Sequence, residues 1–238
     1  MKTILSLLLF CATGFFAKAQ NEVVVDANAE LRTVNAPFKA IKVSGAIDLY
    51  LSQSADEAVA VSASEDRFRK EIKTIVENGV LKIYFEGDKL WNFIKNRKMK
   101  VYVSFRNMDK LEVSGASDVR VSGTINVESL DLHLSGASDF RGDVKLKELS
   151  MELSGASDVR ISGTAASVNI DCSGASDVKG SGFTVDVCHA KASGASDINI
   201  VVNKELTINT SGASKINYTG NALVKEIHSS GASKVKRQ

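Results

Sequence analysis

One tetrapeptide constrains this chain more than any other feature. Ser-Gly-Ala-Ser begins at Ser114, Ser135, Ser154, Ser173, Ser193, Ser211 and Ser230, at successive spacings of 21, 19, 19, 20, 18 and 19 residues. A relative, Ser44-Gly45-Ala46-Ile47-Asp48-Leu49, stands before the array. A unit of about 19 residues cannot bury a core by itself, so each copy must be one layer of a stack.

The residues around the tetrapeptide say what kind of layer. One, three and five places before its first serine stand Leu134, Leu132 and Leu130 in one copy, Leu153, Met151 and Leu149 in the next, then Cys172, Ile170 and Val168. Apolar residues at every second position are a strand with one buried face. After the tetrapeptide, Asp118-Val119-Arg120-Val121 and its variants alternate in the same way, and Gly123, Gly163 and Gly182 follow. Each unit thus reads as two short strands joined by tight corners. A propeller blade needs about twice this period, and a meander does not require the same corner residues in every unit. A parallel β-solenoid does, because identical positions stack. Seven such turns make a rod of roughly 30 Å. Pro37 is the one proline in 238 residues, as expected where interior strands need every amide donor.

Residues 1–19 read as a signal peptide: Lys2, an apolar run from Ile4 to Phe16, and Ala17-Lys18-Ala19 as the cleavage site. The expected organisation is 1–19 signal peptide, 20–110 an irregular β-rich part that caps the stack, and 111–238 the regular repeat. Within 20–110, strands are expected at Phe38–Val43, Ile47–Leu51, Val59–Val61 and Met99–Phe105. Ser64 is expected to cap a short helix reaching Lys70, and Asn78-Gly79 to turn a hairpin between Ile72–Val76 and Val80–Phe85. The mature chain is then exported to the periplasm, the outer surface or the exterior, with no transmembrane segment. Losing Lys2 and Lys18 takes Lys+Arg from 30 to 28, against 28 acidic residues. A near-neutral chain argues against nucleic acid as partner, since phosphate binding needs a basic surplus.

Phe38-Lys39-Ala40-Ile41-Lys42-Val43-Ser44-Gly45-Ala46, Asn78-Gly79-Val80-Leu81-Lys82-Ile83 and Leu111-Glu112-Val113-Ser114-Gly115-Ala116-Ser117 together resemble the exported bacterial family known as the head GIN domain of auto-transporter adhesins, over nearly the whole mature chain. The resemblance implies a right-handed parallel β-helix and a role in adhesion, with no catalytic residues to carry over. No membrane β-barrel lies between the last repeat and Gln238, so self-transport is not expected.

Asp118, Asp139, Asp158, Asp177 and Asp197 share one offset in five successive units. Stacked carboxylates repel by about 1–3 kcal/mol each, and a row of calcium ions would relieve that. Two residues further on, however, stand Arg120, Arg141, Arg160 and Lys179, and the last two units replace the aspartate by Lys215 and Lys234. A charge ladder is therefore favoured over a metal row, and no cofactor is expected. His133 and His228 share an offset but lie five turns apart, roughly 24 Å, and His189 has another offset, so no catalytic triad assembles. Cys172 and Cys188 fall four residues out of register on adjacent turns, about 13 Å apart along the strand direction, beyond disulfide reach. The segment with Trp91, Phe93, Lys95, Arg97 and Lys98 mixes aromatic and basic residues; it either plugs the front of the stack or binds a glycan or another cell-surface component. The basic Lys234-Val235-Lys236-Arg237 discourages end-to-end stacking, which leans towards a monomer. The resulting expectation is a non-catalytic binding or structural module; a carbohydrate-active enzyme or calcium-dependent glycan binder is the alternative on the same fold.

Overall fold

The computed structural model describes residues 26–87 and 98–238. In the repeat, the hydrophobic alternation forms the strands that the sequence predicts. Those before the first corners are β8 (Lys110–Gly115) and β10 (Ser129–Leu134); after Ser-Gly-Ala-Ser comes β9 (Asp118–Asn126). The next units run as β11 (Asp139–Leu153), β12 (Asp158–Cys172), β13 (Asp177–Ala192) and β14 (Asp197–Thr210), and the last as β15 (Lys215–Thr219), β16 (Leu223–Ser229) and β17 (Lys234–Arg237). Successive turns pair in parallel, so the fold is a parallel β-solenoid.

One expectation needs correction. The second corner splits the units of β9/β10 and β15/β16 into two strands, but the four between them, β11 to β14, run without a break from one tetrapeptide to the next. Register shifts after Arg141 and Arg160 absorb the bend. A bulge lets a ladder turn while most of its hydrogen bonds survive.

The tetrapeptide corner is the tight one, and its composition follows from its stacking. Gly155 has φ +76, and a Cβ there would drive into the carbonyl oxygen of Gly136 in the turn before. That oxygen accepts the next turn's Ala156 amide at 2.7 Å, and the same bond recurs from Ala116 to Ala232. The second serine is buried. Its hydroxyl donates back to the first serine's carbonyl, as in Ser138 to Ser135 at 2.9 Å and Ser157 to Ser154 at 3.0 Å. A hydroxyl is needed there because a buried carbonyl left without a donor costs about 1–3 kcal/mol.

The inward residues close a single core. Leu132, Met151, Ile170, Ala190 and Ile208 occupy one register column and are all buried. Cys172 and Cys188 are buried and unpaired, and burial pushes both thiols up to about 12.

The front part joins the stack out of chain order. β2 (Ala40–Gly45) and β3 (Ile47–Gln53) pair with β8 and β9 on one side. On the other they pair with β6 (Val80–Phe85) and β7 (Met99–Phe105). The early Ser44-Gly45 thus lies directly on Ser114-Gly115, although 70 residues separate them in sequence. Beyond this, parallel pairing stops. β4 (Ala58–Ser62) runs antiparallel along β7, β1 (Glu30–Arg32) runs antiparallel along β4, and β5 (Ile72–Glu77) runs antiparallel along β6. The hairpin turn falls where Asn78-Gly79 places it, both residues with positive φ. A helix, α1 (Asp66–Glu71), joins β4 to β5 and sets Phe68 fully into the core. Its N-cap is Glu65, extended at φ −140 and without a side-chain cap bond, in place of the expected Ser64. The front plug expected of Trp91 lies outside the described residues.

Candidate functional site

Two flat outer faces flank the corner. The trailing face stacks β7, β3, β9, β11, β12, β13, β14, β15 and β17. Its first outward column reads Lys100, Asp48, Asp118, Asp139, Asp158, Asp177, Asp197, Lys215, Lys234; pairing places each neighbour in register, and Asp48 stands beside Asp118. The second column reads Tyr102, Tyr50, Arg120, Arg141, Arg160, Lys179, Asn199, Asn217, Lys236.

The two columns neutralise one another across turns. Arg160 reaches Asp158 at 3.5 Å and Asp139, one turn back, at 4.0 Å. Lys179 reaches Asp158 at 3.0 Å and Asp177 at 3.5 Å, and Arg120 holds Asp118 at 3.1 Å. These pairs are part-exposed, so each contributes at most about 1 kcal/mol; their effect is to cancel the repulsion of a stacked acid column. Among the described residues no three acidic, histidine or cysteine side chains converge as metal ligands. Each candidate aspartate's turn places one carboxylate in this column. Burial and the neighbouring Asp118 raise the pKa of Asp48 at the column's front.

The sequence reading missed the front of the second column. Tyr50 and Tyr102 stack with ring centroids 5.0 Å apart, and Arg120 lies over Tyr50 at 5.7 Å. Tyr102 donates to Asp26 at 2.9 Å. Burial, with that bond, raises its pKa. The signal was present, since Asp48-Leu49-Tyr50 aligns with Asp118-Val119-Arg120.

The leading face carries Lys82, Lys42, Glu112, His133, Glu152, Asp171, Lys191, Asn209 and His228 in one column. His133 and His228 do share it, five turns apart, and His189 lies in the column beside it. Glu112 is gripped by Lys110 and Lys42, each at 2.7 Å, which hold its carboxyl down at about 2. His133 meets Glu152 at 3.0 Å, and Lys191 meets Asp171 at 2.7 Å. A shallow groove runs past Lys42, Glu112, His133 and Glu152 beside the corner serines.

Of the aromatic and basic segment, Trp91, Phe93, Lys95 and Arg97 lie outside the described residues. Lys98 is exposed, with φ +38. Ile83 pairs with Val43, and Met99 with Ile47.

Residues 37–222 match the family model described as "Putative auto-transporter adhesin, head GIN domain". The chain belongs to this family. No curated protein matches it. Its head GIN fold is similar to that of a crystallised putative adhesin from Bacteroides fragilis, at 18% identity and TM-score 0.82, covering 90% of this chain and 98% of that one. A putative adhesin from Parabacteroides distasonis matches at 20% identity and TM-score 0.70, over 88% and 96% of the two chains. A putative lipid binding protein from the same species matches at 18% identity and TM-score 0.68, over 90% and 98%. At these identities the likeness is one of fold. No helix among the described residues is long and apolar enough to cross a membrane.

Proposed function

We propose that this head GIN chain is an exported, non-catalytic binding module of the cell envelope or exterior that works in adhesion. The observation that carries this reading is the pairing of its outward charges. Arg160 and Lys179 each engage aspartates of two turns, so the acid column has its counter-ions built in. A wall of paired charges offers a broad contact surface. Catalysis would instead need one acid set apart from its neighbours by its surroundings. The names given to the relatives, adhesins and a lipid binding protein, agree with a surface that binds. To the segment with Trp91, Phe93, Lys95, Arg97 and Lys98, which mixes aromatic and basic residues, we assign a contact with a glycan or other surface component.

The test is a glycan array probed with the mature chain, with calcium and with EDTA, alongside thermal melts. The expected outcome is one melting temperature in both buffers, no polysaccharide turnover, and weaker array binding for Trp91→Ala at unchanged melting temperature. A melting temperature several degrees lower in EDTA would favour the calcium-dependent glycan binder through Asp118, Asp139, Asp158, Asp177 and Asp197.

A further inference from the structure

The charge rule of the middle turns of the trailing face gives way at the far end. From Arg120 to Lys179, each aspartate shares its turn with a cation. Beyond Asp197 the first column continues as Lys215 and Lys234, with Lys236 in the second column beside Lys234. All three lysines are exposed and have no ion pair among the described residues. Arg237 is next to them, its guanidinium donating to the Gly220 carbonyl at 2.8 Å. Asp197, one turn back, is the sole acid in these three turns of the face. Stacking like charges in register costs stability, and nothing in the fold requires lysine here, since the preceding turns place aspartate at the same offset.

We propose that the last two turns of the trailing face bind an acidic polysaccharide through Lys215, Lys234 and Lys236. The surroundings select this ligand class over other polyanions. Ile216 and Tyr218 are buried on the core side, so the lysine-bearing face has no exposed large apolar residue to enter a lipid surface; the exposed Leu223 and Ile227 lie on β16, in the leading face. The patch has no exposed aromatic on which a nucleobase could stack. Beside Lys215, Asn217 is buried and donates to Asn199 at 2.8 Å in the second column. Cationic and flat, the patch suits a chain of carboxylated rings. The inference rests on the adhesion reading above and names the ligand class for one part of that surface.

The test measures binding of the mature chain to polygalacturonate at low salt, with dextran, phosphatidylglycerol vesicles and duplex DNA as comparisons. The combined variant Lys215→Gln, Lys234→Gln, Lys236→Gln should bind polygalacturonate about thirtyfold more weakly, the product of three exposed charge contacts worth about threefold each. The corresponding Lys→Arg triple should bind like the parent, which separates lost charge from lost folding. Lys39→Gln, Lys70→Gln, Lys145→Gln removes three exposed lysines elsewhere and should leave binding unchanged. Equal weakening by both Gln triples, or tighter binding to the vesicles or the DNA, overturns the proposal. If polygalacturonate stays free while the chain still binds neutral sugars on an array, this inference falls and adhesion stands. If it binds neither, both fall.

Discussion

At the residue scale, the tetrapeptide glycines meet two demands that can be separated. Gly155 and Gly123 both have positive φ, +76 and +78. An L-residue there costs about 1 kcal/mol. Only Gly155 also faces a carbonyl, that of Gly136, where a Cβ would stand; at Gly123 the space is open. Gly123→Ala should therefore lower stability by about 1 kcal/mol. Gly155→Ala should lower it by about 3 kcal/mol or more, because the Ala156-to-Gly136 bond must move as well. Urea unfolding of the two variants gives the comparison. Equal losses would mean that conformation alone selects glycine at the corner.

At the scale of the strand, outward charges act as columns, and Glu112 is the most tightly held acid in its column. Lys110 and Lys42 lower its pKa from an ordinary 4.5 to about 2. A carboxyl depressed in the folded state stabilises the fold above its unfolded pKa, and that contribution disappears as pH falls through the folded value. The window is therefore about pH 4.5 down to about pH 2. Glu112 is part-exposed, so the contribution is about 1 kcal/mol at neutral pH. Glu112→Gln should unfold at lower urea than the parent at pH 7, and the gap should close as pH approaches 2; a gap constant with pH would rule out the ionic origin. Much of this scale is legible in the sequence. The alternation of Leu130, Leu132 and Leu134 marks the buried side, and the Asp-x-Arg pattern marks the ladder, because strand geometry converts sequence offset directly into facing. The continuous strands β11 to β14 were not legible. A bulge after Arg141 changes register without changing composition, and so leaves no periodic signal. Ser64 misled in a similar way: a good capping residue one position early loses to the packing that starts α1 after Glu65.

At the scale of the whole molecule, the order of turns was hidden because it depends on contacts across 70 residues. The sequence shows Ser44-Gly45-Ala46 as an isolated early copy. In the fold, β2 and β3 are an interior turn, with β6 and β7 on one side and β8 and β9 on the other. The change of regularity near residue 110 thus marks, we propose, a change of pattern within one stack, and the two ends of that stack differ in kind. At the front, antiparallel β1, β4 and β5, with Phe68, close the core. At the far end, β16 and β17 pair on one side only, and Leu223 and Ile227 are 61% and 48% exposed. In a solenoid, stability is close to a sum over neighbouring turns. Deleting 223–238 therefore removes one turn and leaves an end of the same kind, so the shortened chain should fold with a modest loss in melting temperature. Deleting everything before residue 110 removes the cap. It strips Ile41, Val43 and Leu49 from above Leu111, Val113 and Val119, leaving a fully apolar end with unpaired edges. That fragment should self-associate and bind a hydrophobic dye, where the chain lacking 223–238 does neither. A front-deleted fragment that stays dispersed and dye-free would show instead that the repeat array supplies its own end, with the antiparallel strands serving another purpose.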